Sequence, residues 1–317
     1  MHSLGLGCVF SDRIEALLDG RVQLEGYDLH IRICQAQALF KDVLGAQTYD
    51  LAEMSLGAYI SAMASGQTHY VGLPIFLSRA FRHSNIYIRG DVGISSPHDL
   101  AGKCIGIMDY TQTAGIWVRG LLADEYNLSR QSVRWVTGGL FAPLAEDRMS
   151  LRLPAEIHIE RTQDTLDHLL RSGQIDAIIS PQAPQCFRDG HPEIRRLFVN
   201  YCADEKAYFL RTGIFPIMHC VVARSALLDA DSHLADHLFA AFTKAKALAQ
   251  ADLAYRDYAK TMLPWLPQHA HDVTAVLGED VWSYGTGPNL RALETFMRYC
   301  RADGLCSSEF RPDQVFR

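Results

Sequence analysis

The chain has no basic tract, no acidic tail and no apolar run near the ~20 residues that span a bilayer. Lys and Arg number 30 against 36 Asp and Glu, for a net charge of −6. Binding to nucleic acid or to a membrane surface therefore has no compositional support, and neither partner is expected. The opening MHSLGLGCVF turns polar at Ser11-Asp12-Arg13, with no basic stretch ahead of a long apolar one, so no secretory signal is read. Leu6-Gly7-Cys8 lies too close to the start to be a lipoprotein cleavage site. Eight cysteines are scattered without a CxxC pair, several of them inside apolar runs such as MHCVVA. That pattern suits reduced, buried thiols and a cytoplasmic protein better than a disulfide framework or a thiolate metal cluster.

Other motifs are missing too. No GxGxxG, Walker or GxSxG pattern occurs, which leaves nucleotide cofactors and serine hydrolysis without a footing. Thirteen histidines invite a metal, yet the pair His269 and His271 in QHAHD is two apart. That spacing suits neither one helix face nor HExxH, and the stretch reads as a surface loop. A scattered set of His83, His219 and Glu53 is the remaining metal alternative, and spacing lends it no support. The expectation is no metal and no cofactor.

What is present is an ordinary globular composition, 48% hydrophobic and 21% charged, enough for a substantial core. Short apolar runs alternate with helical ones. Residues 4–10 read as a strand, with Asp12 as a candidate cap for a helix ending at Gly20. Leu29, Ile31 and Ile33 recur at period two, the mark of a half-buried strand. A helix to Gly45, a strand at 49–55, the helix LGAYISAMASG and a strand at 70–76 follow. NIYIRG, KCIGIM, VRWVTGG, QIDAIIS and residues 214–223 are further strand candidates. QTAGIWVRGLLADEYN is a helix, as is TQDTLDHLLRSG, capped by Thr162 or Asp164. A polar, proline-interrupted stretch covers 140–156. Beyond 223, helical spacing dominates. The βαβα rhythm predicts a largely parallel α/β architecture with a helix-rich C-terminal region. If the strand at 214–223 returns to the first sheet, two lobes result: residues 1–88 with 214–317, and 89–213. Two lobes imply a ligand cleft between them.

The stretch SRAFRHSNIYIR (78–89) crowds Arg79, Arg82 and His83 where the chain enters a strand. Together with DRIEALLDGRV, YDLAEMSLGAYI, WVRGLLADEYN, WVTGG, IDAIISPQAP, RTGIFPIMHCVV, MLPWL and NLRALETFMRYC, in that family's order, it resembles the 4,5-dihydroxyphthalate decarboxylase family. SPHDLAGKCIGI is similar to an element shared more widely by type II periplasmic-binding-protein-like folds. The resemblance implies a two-lobed α/β clamshell of that type. It also implies nonoxidative removal of one carboxylate from 4,5-dihydroxyphthalate to give protocatechuate, and a homo-oligomer. One departure is Ser11-Asp12-Arg13, where the family usually has Tyr-Asp-Arg.

Such a reaction needs cations to orient a small aromatic dicarboxylate, an acid at the ring carbon and an acceptor near the hydroxyls. Arg79 and Arg82 are candidates to grip carboxylate, against a structural ion pair for one of them. His83, as an ordinary imidazole, is a candidate proton donor or else a backbone-bonded loop histidine. His219 in GIFPIMHC is open to a hydrogen-bonded core role or a catalytic one. Glu53, at an apparent strand end, could accept a catechol proton or fix a histidine, while Ser55 caps the next helix or helps hold an anion. Tyr110, Gln112 and Thr113 occupy a strand-to-helix turn, Ser180 another strand end, and Arg13 follows the first strand. A noncatalytic solute-binding protein of the same fold, or another lyase, is the alternative function.

Overall fold

The computed structural model describes residues 2–144, 153–255, 257, 260–306 and 310–317. Of the polar stretch 140–156, residues 145–152 lie outside the described residues. Among the described residues, eleven strands form two mixed sheets. In chain order they are β1 (His2–Cys8), β2 (Tyr27–Ile33), β3 (Leu51–Ser55), β4 (Tyr70–Arg79), β5 (Ile86–Arg89) and β6 (Cys104–Ile107). Then come β7 (Arg134–Thr137), β8 (Ile159–Arg161), β9 (Ala177–Ile179), β10 (Ile194–Arg196) and β11 (Ile217–Arg224).

The first compact unit comprises Met1–Arg79, Ile217–Leu293 and Phe310–Arg317. Its sheet runs β2-β1-β3-β11-β4. β1 pairs in parallel with β2 and β3, while β11 is antiparallel to both β3 and β4. The strand at 214–223 does return to the first sheet, as the sequence reading supposed. β3, flanked on both sides, is buried at every residue, which accounts for the apolar run around a single carboxylate. Gly7 leaves room for the helix Ala36–Leu44, since a Cβ there would lie 2.8 Å from Leu39 Cδ1. Leu6, Leu51, Phe76, Val222 and Phe242 are among its most buried core side chains.

The second unit comprises Ala80–Pro216 and Glu294–Glu309. Its sheet runs β10-β5-β9-β6-β7-β8. β6, β7, β8 and β9 are mutually parallel, and β5 is antiparallel to its neighbours. Its core gathers Tyr87, Met108, Val136, Leu140, Leu166, Leu170 and Ile178. The division differs from the expected one in three stretches: residues 80–88, 214–216 and 294–309 belong to this unit.

Several local expectations are corrected. Ser11, not Asp12, is the N-cap of the Asp12–Leu18 helix. Thr165 caps the Leu166–Ser172 helix, its hydroxyl accepting from the His168 N–H at 3.3 Å, in place of Thr162 or Asp164. QHAHD is helical, within Leu266–Leu277, with both histidines exposed; Pro267 in the first turn supplies the start that spacing alone hid. β8, β10 and the helix Tyr201–Thr212 were not expected at all. Among the described residues, no helix is long and apolar enough to cross a membrane.

Candidate functional site

The sheet of the first unit puts Glu53 and His219 on one face by register. In the antiparallel β3/β11 ladder His219 stands opposite Ser55 and Val221 opposite Glu53. Glu53 and His219 are thus diagonal neighbours, within reach for long side chains. His219 Nδ1 lies 2.6 Å from Glu53 Oε1. A carboxylate only accepts, so Nδ1 carries the hydrogen and Nε2 is left for other business. The second oxygen, Oε2, accepts the Val9 N–H at 2.9 Å. Glu53 is 3% exposed, and these two bonds compensate its burial. The imidazole keeps partial access to solvent and meets the Phe40 ring edge-on at 4.9 Å.

β11 is irregular around this histidine. Its register against β4 shifts between Ile217 and His219 and again between His219 and Val221. Such breaks re-aim a side chain and recur beside active sites. At the same edge of this sheet stand Ser55, N-cap of the Leu56–Ala64 helix, Arg79, the last residue of β4, and Arg13 beyond β1. Arg13 donates from Nε to Leu77 O at 3.0 Å and from Nη1 to Asp12 at 2.7 Å, with its guanidinium 4.3 Å from the Trp282 ring centroid. Arg79, expected on a carboxylate, is buried and donates from Nη2 to Ser283 O at 2.6 Å and to Asn289 Oδ1.

The remaining candidates lie in the second unit. β5 starts where β9 ends, Ile86 facing Ile179, and Ser180 N–H donates to Asn85 O at 3.0 Å. Ser180 Oγ accepts from the Gln182 N–H at 3.2 Å, a turn-forming role. Adjacent to β9, β6 leads into the turn holding Tyr110 and Gln112, then the helix Thr113–Tyr126. Gln112 is its N-cap, and its buried Oε1 lacks a hydrogen-bond partner among the described residues. Tyr110 is 2% exposed, packed 3.9 Å from the Arg119 guanidinium and edge-on to Trp135, and burial pushes its phenol up to about 12.

Arg82 donates from Nη1 to Asn85 Oδ1 at 2.9 Å. Burial lowers its pKa to about 10. His83 is 3% exposed, set edge-on between Phe198 and Tyr208, and its Nδ1 lies 3.9 Å from Glu205 Oε1. Burial, with help from the nearby Arg211 charge, drops its pKa to about 4. The reason for expecting a proton donor here, an imidazole titrating near neutrality, does not survive that setting. Among the described residues no group of three or more His, Cys, Asp or Glu is placed to hold a metal ion, and His83 falls in a different unit from Glu53 and His219.

The sequence reading thus named both members of the closest histidine–carboxylate pair among the described residues. It did not name Val9, whose backbone fixes Glu53, nor Trp282 and Ser283, which engage Arg13 and Arg79. Backbone partners leave no mark in a sequence, and WSYG carries no motif.

No family model matches the chain. A 4,5-dihydroxyphthalate decarboxylase from Comamonas testosteroni is 36% identical over 307 residues, covering 96% of this chain and 93% of that protein. One from Pseudomonas putida is 40% identical over 202 residues, covering 62% of this chain and 78% of the relative. Among solved structures, a periplasmic sulfonate-binding protein from Methylobacillus flagellatus superposes with a TM-score of 0.60 at 13% identity, over 100% of this chain and 92% of that one. A Candida albicans protein described as having the generic periplasmic-binding-protein fold gives 0.55 at 10% identity, over 100% and 96%. At such identities the likeness is one of fold, and it shows the periplasmic-binding-protein-like architecture.

Proposed function

The chain belongs to the 4,5-dihydroxyphthalate decarboxylase family, and from that premise we propose that it removes one carboxylate of 4,5-dihydroxyphthalate without oxidation, releasing CO2 and protocatechuate. The observation that carries the chemical part is the 2.6 Å contact between His219 Nδ1 and Glu53 Oε1. A buried carboxylate bonded to one ring nitrogen fixes the tautomer and orientation of an imidazole. Histidine held this way is the side chain best suited to move a proton near neutral pH.

The substrate itself explains why one acid suffices. Each of its carboxylates has a hydroxyl para to it, which donates electron density to the ipso carbon. His219 Nε2 delivers a proton to that carbon, forming a C–H bond and placing positive charge that the para oxygen shares. The C–C bond to the carboxylate then breaks, its electrons restore the aromatic sextet, and CO2 leaves. Neutral His219 regains a proton from solvent. One dianion and one proton become one protocatechuate monoanion and one CO2. The ring is its own electron sink, so the step calls for no redox cofactor and no Schiff-base lysine.

Arg13 is the cation we assign to orient a carboxylate in this unit. It stands at the same sheet edge as the dyad, and Trp282 beneath its guanidinium holds the group in a fixed plane. Arg79 we assign to the scaffold, because its Nη2 is spent on Ser283 and Asn289. Between the two candidate histidines, His219 takes the donor role: at a pKa of about 4, His83 is neutral at working pH.

The test is His219→Gln, measured for turnover and for substrate binding. Catalysis should fall roughly 10²–10⁴-fold, the usual share of a general acid, with binding changed only a few-fold. A variant that turns over like the wild type removes His219 from the mechanism.

A further inference from the structure

One residue at this sheet edge has no part in the scheme above. The stretch Val281–Gly285 is laid along β4: Trp282 Nε1 donates to Phe76 O at 2.8 Å, and the Gly285 N–H to Pro74 O at 2.7 Å. Its consecutive residues serve the two arginines of the unit. The Trp282 ring lies under Arg13 at 4.3 Å, and the Ser283 carbonyl accepts from Arg79 at 2.6 Å. Next in line is Tyr284, 5% exposed, with Lys246 Nζ 4.9 Å from its ring centroid.

The Tyr284 hydroxyl is buried and has no hydrogen-bond partner among the described residues. Folded proteins seldom leave a buried hydroxyl unsatisfied, because the lost hydration is not regained. Its surroundings say what would satisfy it. Burial raises the phenol well above its ordinary pKa; Arg13 and Arg79 pull it back, and Asp12 and Glu53 push it further up. The hydroxyl therefore shares a neighbourhood with both arginines and with the carboxylate of the proton-transfer pair. It stays protonated across the working range, so it presents a hydrogen to any acceptor. Beside two arginines, the acceptor that fits is an anion.

We propose that Tyr284 binds substrate, its O–H donating to a carboxylate oxygen of the aromatic dicarboxylate that Arg13 orients beside His219. The assignment rests on the reading of this edge as a decarboxylase site. It adds a neutral donor to the cation. A neutral donor holds the carboxylate without the extra positive charge that would favour its remaining on the ring. The para-hydroxyl end of the substrate is left to other groups.

Tyr284→Phe removes the oxygen alone. In the full-length protein, calorimetric titration with 4,5-dihydroxyphthalate should show binding weakened roughly 10–100-fold, as for loss of a hydrogen bond to a charged group, and KM should rise in parallel. Thermal unfolding gives the second readout. Since the hydroxyl bonds to nothing among the described residues, the variant should melt at the wild-type temperature or above it. Unchanged binding overturns the proposal, and so does weakened binding together with a lowered Tm, which would make the hydroxyl a structural one. Binding and CO2 release are measured separately. Wild-type protein that binds without releasing CO2 contradicts the decarboxylase reading and leaves the Tyr284 comparison intact. Wild-type protein that does not bind overturns both.

Discussion

Glu53 is a carboxylate in the middle of a strand with no exposed residue, and its two oxygens are spent on two different elements, the Val9 N–H and His219. Each partner came from a different part of the chain, His219 from 166 residues away. Glu53→Gln keeps the shape but loses the acceptor that fixes the His219 tautomer and ring orientation, so kcat should fall on the order of 10–100-fold with KM little changed. A steady-state comparison with wild type checks it. The sequence offered both residues as candidates, at a strand end and in a returning strand. Their pairing depends on the β3/β11 register, which no local pattern encodes. His83 makes the opposite case. It looked like a donor because free imidazole titrates near pH 6.5, whereas burial between Phe198 and Tyr208, with the Arg211 charge, brings it to about 4. A histidine depressed in the fold stays neutral there while the unfolded chain takes up a proton, so stability is complete above about 6.5 and is lost as pH falls toward about 4. The loss should reach on the order of 3 kcal/mol at the acid end. Urea unfolding at pH 7 and pH 4.5 should show a smaller difference for His83→Gln than for wild type. An equal difference would show that His83 stays accessible to protons in the fold.

Among the elements, those with strong periodicity were legible and those defined by partners were not. β2 shows its period-two alternation, and Leu290–Ala302 its helical stripe. β8 and β10 are three-residue strands at sheet edges, held by one neighbour each, and sequences as short as IER and IRR carry no period. In Leu266–Leu277 two histidines two apart share no helix face, and the start signal is the proline in its first turn. The helix Thr113–Tyr126 is buried almost all round, so its identity shows in length and in the left-handed cap at Asn127 more than in an apolar face. Gly120 on it is matched to a neighbour: a Cβ would fall 2.0 Å from Tyr299 Cδ2, a contact no small adjustment removes. Gly120→Ala should therefore destabilise by about 1–3 kcal/mol or more, although alanine is the better helix former. Denaturant unfolding would show it as a lowered midpoint at unchanged slope. A stabilised variant would mean that the ring swings away freely.

At the scale of the whole molecule, the chain divides its labour between two units, each with a mixed sheet containing an antiparallel strand contributed at a crossing: β5 on entering the second unit and β11 on returning to the first. The sequence showed the return because GIFPIMHCVVA reads as a buried strand after a long α/β stretch. It did not show that residues 294–309 belong to the second unit, because an amphipathic stripe says how much a helix buries and not against what. That placement is secured by Asp303, fully buried between Arg119 and Arg130, at 2.6 and 2.5 Å. Asp303→Ala leaves Arg119 charged in the core and should cost about 3–5 kcal/mol, read as a drop in the unfolding midpoint with catalysis of the still-folded fraction unchanged. The same whole-molecule view frames the functional claim, which joins family membership to a proton-transfer pair on one sheet edge. The measurement that tests it most directly is incubation of purified, chelator-treated protein with 4,5-dihydroxyphthalate, following CO2 and protocatechuate together. The account predicts that both appear in equal amounts, with no oxidant consumed. Tight binding of the substrate with neither product formed would contradict it, and would leave a protein that holds an aromatic dicarboxylate without acting on it.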